Sequence, residues 1–236
     1  MGRAIALRLA RDGYAVACLD IDAASAKDVA QEIAEAGGRA FALGDVDVSV
    51  RQQVEAAVDQ ARAELGPILV LVNNAGITGF REFLKITDEK WDRVMRINLY
   101  GPYHCTQAVL PDMVAAGWGR IVNISSSAAQ TGQQYMAHYA ASKAGLIGMT
   151  KSLALEFGKH GVTVNTIPPG QIDTPMLRES ARRGMLGDPD KIGQQVPVGR
   201  LGTAGDIAAA ASYLCSDEAG YVTGQVIGVN GGRVTG

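Results

Sequence analysis

The sequence lacks an excess of positive charge and any long uncharged apolar run. Its 236 residues carry 22 Lys and Arg against 24 Asp and Glu, a net charge of −2, so no basic surface favours nucleic acid or an anionic membrane. No stretch of about 18 uncharged apolar residues occurs, so no membrane-spanning segment is predicted. The first residues form a helical pattern with Arg3, Arg8 and Arg11, unlike the continuous apolar core of a signal peptide.

Cysteine is scarce and shows no pairing pattern. The three cysteines, Cys18, Cys105 and Cys215, are odd in number, far apart and set in apolar surroundings. Neither a CxxC motif nor a His-flanked pair is present, so no metal site is predicted. Buried, reduced thiols are the expected state, and they favour a cytoplasmic protein.

Short apolar runs, in contrast, alternate with helical patterns along the whole chain. Strands are expected at 14–19, 39–43, 68–72, 119–124, 163–167 and 226–229. Helices are expected at 24–36, 50–64, 88–116, 137–158 and 204–216. This alternation predicts an α/β fold, a Rossmann-type doubly wound parallel sheet with helices on both faces. No repeat or linker interrupts it, so a single domain over 1–236 is predicted.

Residues 171–200 break the alternation. They carry Pro175, Pro189 and Pro197 with several glycines and only two short helical pieces. A long excursion between the last two strands is more often a functional flap than a connector. Because ligands bind beyond the carboxyl ends of strands in open α/β sheets, we expect this flap to cover the binding crevice.

Two short features suit a bound dinucleotide. Asp20 ends the first predicted strand, 18 residues after Gly2, near the spacing of a ribose-binding carboxylate from a glycine-rich turn. Such a carboxylate accepts from the 2′-hydroxyl of NAD and repels the 2′-phosphate of NADP. The LVNNAG stretch at 71–76 suits a tight turn that approaches a flat ligand closely. Taken alone, Asp20 is more often a turn residue, and the NNAG stretch is a bare turn signal.

A tyrosine and a lysine supply candidate acid/base chemistry. Tyr139 and Lys143 are four residues apart, so a helix places them on one face. A free phenol has a pKa of roughly 10, and a nearby ammonium lowers it by stabilising the phenolate. A serine hydroxyl from the preceding strand end could bind the reacting oxygen.

Together these motifs resemble the short-chain dehydrogenase/reductase family from Gly2 to Gly232, nearly the whole chain. The resemblance implies hydride transfer between a nicotinamide cofactor and a secondary alcohol or ketone, with Tyr139 as the proton donor or acceptor. Ser126, 13 residues before that tyrosine, would hold the substrate oxygen. Lys143 would lower the tyrosine pKa and bind the nicotinamide ribose. Asn98 would hold, through its backbone carbonyl, a water that connects the lysine to solvent.

The resemblance also implies a cofactor-binding set, with NAD as the cofactor because of Asp20. Asp47 and Val48 would contact adenine, although the doubled motif GDVDVS leaves Asp45 and Val46 as a rival register. The full set, with the catalytic tyrosine and lysine included, is Gly2, Asp20, Ile21, Asp47, Val48, Asn74, Ala75, Gly76, Tyr139, Lys143, Pro169, Gly170, Ile172 and Thr174. Ile172 and Thr174 would meet the carboxamide.

Members of this family start with a strand and a TGxxxGxG turn, of which only the last glycine, Gly2, is matched. We therefore expect about 15 preceding residues, a central strand and the rest of the phosphate-binding turn, to be missing from this chain. The leading hypothesis is an NAD-dependent dehydrogenase/reductase. The alternative is an N-terminally truncated, catalytically impaired relative that acts as a binding or oligomerisation subunit.

Three further expectations concern partners and surroundings. The family resemblance implies a homotetramer, with one interface along 88–116 and 137–158 and a second at the C-terminal strand. The substrate is expected to be a small alcohol or ketone, such as a 3-oxoacyl thioester or a small hydroxyketone. His138 is expected to point outward or into an interface, because adjacent helical residues point in different directions.

Overall fold

The computed structural model describes residues 1–235, and five short parallel strands form its centre. They are β1 (Val16–Leu19), β2 (Ala40–Leu43), β3 (Val70–Asn73), β4 (Gly119–Ile124) and β5 (Val162–Ile167). Strands β1 and β2 form one parallel ladder, and β3, β4 and β5 form another in that order. Among the described residues no strand joins the two ladders, so β1 and β3 are not hydrogen-bonded to each other. That a further strand belongs to this protein stays a prediction.

Helices connect the strands. The longer ones are α1 (Gly2–Arg11), α2 (Ala23–Glu35), α3 (Arg51–Leu65), α5 (Gly101–Ala116), α7 (Ala137–Phe157) and α10 (Ala204–Cys215). Shorter α-helices of the described residues are α4 (Asp88–Met95), α6 (Ala128–Thr131), α8 (Pro175–Arg182) and α9 (Pro189–Gln194). A π-helical segment, Arg96–Tyr100, separates α4 from α5, where the sequence predicts one continuous helix.

Alternate residues of β4 pack on opposite faces of the sheet, which explains why helices cover both. Ile121 belongs to the core formed with α3, α5 and α7, whereas Val122 and Ile124 belong to the core formed with α1 and α10. Every residue of β4 and β5 is buried, as expected for parallel strands covered by helices on both faces. The predicted doubly wound α/β architecture is confirmed; the single-domain organisation stays a prediction.

The sixth predicted strand, Val226–Val229, does not form a continuous ladder. It lies beside β5 but makes only isolated parallel bridges, Thr166 with Val226 and Pro169 with Val229. Pro168 and Pro169 follow β5 directly, and neither has an N–H to donate. The pairing is therefore interrupted at the point where the predicted site begins.

The structure also places the cysteines and describes the apolar helices and the potential metal ligands. All three cysteines are buried, and burial raises the pKa of Cys105 to about 11. None of the helices in the described part of the chain combines the length and apolar character needed to cross a bilayer. Over residues 1–235, no three His, Cys, Asp or Glu side chains cluster as metal ligands would.

Candidate active site

The predicted site residues follow the carboxyl ends of the parallel strands. Asp20 follows β1, Asn74 follows β3, Ser126 follows β4, and Pro169 follows β5. The first turns of helix α7 bring Tyr139 and Lys143 to the same edge. Parallel strands place their carboxyl ends on one side of the sheet, so distant parts of the sequence meet there.

The side chains of Tyr139 and Ser126 line the same cleft. Ser126 Oγ accepts a hydrogen bond from Ala128 N at 3.2 Å, which orients the hydroxyl at the start of α6. Burial raises the pKa of Tyr139 above its ordinary value, and the Ser126 hydroxyl acts in the opposite direction. The phenol is therefore protonated at neutral pH and is suited to donate a proton.

Lys143 is almost completely buried, with 4% of its surface exposed. Its Nζ donates a hydrogen bond to the carbonyl oxygen of Ile124, the last residue of β4, at 2.8 Å. Burial lowers the pKa of Lys143 to about 8, because a desolvated ammonium is disfavoured. Burial opposes the charged form of both groups, and the expectation that this lysine lowers the tyrosine pKa stays a prediction.

Asn98 lies in the π-helical segment and is fully buried. Its Oδ1 accepts from Ile77 N and its Nδ2 donates to Ile77 O, each at 2.9 Å. The same Nδ2 donates to Ser142 Oγ at 3.1 Å, and that hydroxyl donates to the carbonyl of Tyr139 at 2.8 Å. A π-helical turn is frequent at functional sites, and here it links the loop after β3 to α7 through the Asn98 side chain. The sequence prediction used only the Asn98 backbone carbonyl and missed Ser142.

The predicted cofactor residues divide between two regions. Gly2 lies against Asn74, since a Cβ at Gly2 would stand 2.7 Å from Asn74 Nδ2. Asn74 Oδ1 is buried without a hydrogen-bond partner among the described residues. Gly76 is packed closely too: a Cβ there would meet Asn98 Oδ1 at 3.1 Å and Lys143 Nζ at 3.3 Å. Ala75 between them is exposed.

The other cofactor residues lie at the ends of β1 and β2. Asp20 and Ile21 are exposed, and Asp20 Oδ1 accepts from Asp22 N at 3.0 Å. Asp47 Oδ1 accepts from Ser49 N. The carbonyl oxygen of the buried Val48 is hydrogen-bonded to His104 Nδ1 at 3.0 Å. In the rival register, Asp45 is exposed in the left-handed region with φ of 57°. Val46 is buried, and its N–H donates to the Asp20 carbonyl. Both registers remain open.

A cleft of about 150 Å³ opens beside Tyr139 and Ser126. Its remaining lining includes Thr78, Phe80, Gln133, Met136, Pro169, Gly170, Ile172, Thr174, Met176 and Leu177. Ile172 is buried, and Thr174 caps α8 by accepting from Leu177 N at 3.2 Å. The predicted flap thus forms one wall of the cleft. A second cavity, of about 410 Å³, lies within the flap and touches none of the predicted catalytic residues.

These features fit a nicotinamide dinucleotide. Met1, at the N-terminus of α1, lines the cleft, and a helix N-terminus is suited to bind a phosphate. The buried amide oxygen of Asn74, close to Gly2, has no partner among the described residues. The exposed carboxylate of Asp20 suits a ribose at the far end. Lys143 and Tyr139 would hold the nicotinamide ribose.

His138 is the clearest departure from the sequence prediction. It is 3% exposed rather than outward-facing, and its Nδ1 is buried without a hydrogen-bond partner among the described residues. Burial lowers its pKa, so the ring is neutral at neutral pH. The glycine at position 79, which leaves room for the ring, was not recognised as its partner from the sequence.

Known proteins resemble this chain over almost its full length. A family described as enoyl-(acyl carrier protein) reductase matches residues 1–233. Nodulation protein G of Azospirillum brasilense is 44% identical, over 98% of this chain and 93% of that protein. The 3-oxoacyl-[acyl-carrier-protein] reductase FabG of Pseudomonas aeruginosa is 41% identical, over 98% of this chain and 92% of its own length.

A solved structure shares the fold as well. The gluconate 5-dehydrogenase of Burkholderia cenocepacia, in complex with NADP and tartrate, superposes with a TM-score of 0.88 at 31% identity, covering 97% of this chain and 89% of that chain. The family matches and this superposition confirm the resemblance first indicated by Asp20, the NNAG turn and the Ser126–Tyr139–Lys143 set. The chain therefore belongs to the short-chain dehydrogenase/reductase family of oxidoreductases.

Proposed function

We propose that the protein interconverts a secondary alcohol and a ketone, with NAD(H) as the cofactor and Tyr139 as the acid/base group. The observation that carries this proposal is that Tyr139 and Ser126 line one cleft together, one helical turn from the buried Lys143. A ketone oxygen in this cleft would accept from both hydroxyls. When bound, the nicotinamide cofactor supplies or accepts the hydride.

The proton chemistry follows from the burial of the two groups. The phenol is protonated at neutral pH because burial raises its pKa, so Tyr139 donates its proton as negative charge develops on the ketone oxygen. The phenolate that remains is stabilised if Lys143 is charged at that moment. Its pKa of about 8 makes that lysine able to gain or lose a proton near neutral pH.

The cleft and the relatives together favour a substrate with an apolar arm. Phe80, Met136, Met176 and Leu177 offer apolar surface beside the catalytic pair, and Gln133 offers an amide. A relative at 41% identity is named for 3-oxoacyl chains on acyl carrier protein, whereas a structural neighbour is named for gluconate. We propose a 3-oxoacyl thioester or a small hydroxyketone as substrate. The buried, unpaired thiols support a cytoplasmic location.

Replacing Tyr139 with phenylalanine tests the catalytic assignment. The Tyr139→Phe variant should lose on the order of 10²- to 10⁴-fold in kcat, since it keeps the ring and loses the proton donor. NADH binding, followed by fluorescence, should weaken far less than kcat, by about tenfold at most, because one ribose hydrogen bond is lost and Lys143 remains. Tyr135→Phe, which removes the hydroxyl of an exposed neighbour, should retain activity. A Tyr139→Phe enzyme with the wild-type rate would overturn the assignment.

The choice of NAD depends on the charge at Asp20, whose carboxylate is exposed and oriented by Asp22 N. Wild-type protein should have a higher kcat/KM with NADH than with NADPH. Asp20→Asn should lower that ratio by about tenfold or more, because a charged hydrogen bond contributes about 1.5–3 kcal/mol. Adding Ile21→Arg, at a position 66% exposed, should lower it further by offering a cation to the 2′-phosphate.

The control for this cofactor series is Asp22→Asn. The Asp22 carboxylate caps α2 by accepting from Ala24 N and Ser25 N. Asparagine caps about as well, so this variant removes a neighbouring charge, keeps the helix, and should leave the NADH to NADPH ratio unchanged. A wild-type enzyme that prefers NADPH would contradict the NAD proposal without affecting the catalytic assignment.

The burial of Lys143 has a measurable effect on stability. Between a folded pKa of about 8 and the ordinary 10.5, the unfolded chain binds a proton that the folded chain does not. The free energy of unfolding of wild type, minus that of Lys143→Met, should therefore rise with pH across this window, by at most about 1.4 kcal/mol per pH unit.

Urea unfolding at about pH 7.5 and about pH 9.5 measures this difference. Taking the difference between two chains cancels the titration of the cysteines, which both contain. The control is Lys151→Met, an exposed lysine of the same helix, which should show no such rise. A flat or falling difference for Lys143→Met would mean that the lysine is not desolvated.

We also propose that the protein is a homotetramer. Tyr103 on α5 and Leu155 on α7 are exposed, the latter at 86%, on the two helices where an interface is expected. Light scattering should give four times the chain mass of 24.7 kDa. Leu155→Glu should give smaller species, whereas Leu84→Glu, at an equally exposed position off these helices, should not. A wild-type monomer would contradict the proposal.

A further inference from the structure

The loop that follows β3 is held at its two ends. At its start, both backbone polar groups of Ile77 are bound by the side chain of Asn98, each at 2.9 Å. At its end, Arg81 N donates to the carbonyl of Tyr135 at 2.8 Å. Thr78, Gly79 and Phe80 lie between these anchors. Their position therefore depends on what they pack against.

The middle of the loop packs against an imidazole. A Cβ built on Gly79 would stand 2.7 Å from His138 Nε2, and its three nearest neighbours would all be atoms of that ring. The backbone of Gly79 is not in the left-handed region, so other residues could adopt its conformation. The His138 ring, and not the backbone, is what excludes a side chain at position 79.

This contact lies directly behind the wall of the cleft. Gly79 stands between Thr78 and Phe80, which both line the cleft, and His138 stands between Met136 and Tyr139, which line it as well. The ring is 3% exposed, and its Nδ1 has no hydrogen-bond partner among the described residues. The ring and Gly79 are thus in close contact, and a shift of either partner would move lining residues.

We propose that His138 is a positioning residue that sets, through its contact with Gly79, where Thr78 and Phe80 stand over the substrate. The ring does not reach the reacting atoms and takes no proton in the reaction. Its role is to fix the distance between the loop after β3 and the first turn of α7. This inference rests on the proposed function in one respect, that the cleft beside Tyr139 receives the ketone.

Gly79→Ala tests the proposal, because the new methyl suits the backbone and collides only with the ring. The loop must shift, so KM for the ketone should rise about tenfold or more, with a smaller change in kcat and no change in NADH affinity. The double variant Gly79→Ala with His138→Ala frees the space, so its KM should return most of the way to the wild-type value. This recovery distinguishes a positioning contact from general destabilisation.

Gly148→Ala is the matched control, since this glycine of α7 has open space where a Cβ would stand. It should leave KM unchanged. The proposal is overturned if Gly79→Ala keeps the wild-type KM, or if the double variant is as impaired as Gly79→Ala alone.

A wild-type chain that binds NADH but reduces no ketone overturns the proposed function instead. Urea unfolding of wild type, both single variants and the double variant then tests the contact without an assay. The packing contact is supported if Gly79→Ala lowers the free energy of unfolding in wild type but not in the His138→Ala background. Strictly additive losses in the double variant overturn it.

Discussion

The hydrogen bond from Lys143 to the end of β4 is the constraint on which the site depends. A buried ammonium is costly unless it is hydrogen-bonded, and here its 2.8 Å bond to the Ile124 carbonyl fixes α7 against the strand. Ser125 and Ser126 come directly after that carbonyl, so the same bond sets their distance from Tyr139, one turn earlier on the helix. Moving the lysine would change the distance between the Ser126 and Tyr139 hydroxyls that line the cleft.

A second link joins the opposite side of the cleft to the same helix. Asn98 binds the Ile77 backbone and the Ser142 hydroxyl, and Ser142 in turn donates to the Tyr139 carbonyl. The π-helical turn that carries Asn98 interrupts an otherwise continuous helix, and this interruption aims a fully buried amide at two separate segments. Hydrogen bonds therefore hold both strand β4 and the loop after β3 in place against α7, which carries Tyr139.

Local sequence patterns were sufficient for the five strands of the two ladders. In Gly119–Ile124, the aliphatic residues Ile121, Val122 and Ile124 mark a strand that is buried on both faces. Tyr139 and Lys143 share a helical face because of their spacing alone. His138 could not be placed in this way, because its burial depends on a loop some 60 residues earlier that leaves room only at a glycine. The Val226–Val229 pairing likewise depends on two prolines of another segment.

Burial shifts the pKa values of Tyr139 and Lys143 in opposite directions, and this bears on the chemistry. Coulombic stabilisation of a phenolate requires a charged lysine, but burial disfavours charge on both groups. It raises the pKa of Tyr139 and lowers that of Lys143 to about 8. A site of this kind starts with a protonated phenol, which suits proton donation to a ketone oxygen. The attraction between phenolate and ammonium then contributes after the proton has moved, where it stabilises the product of the transfer.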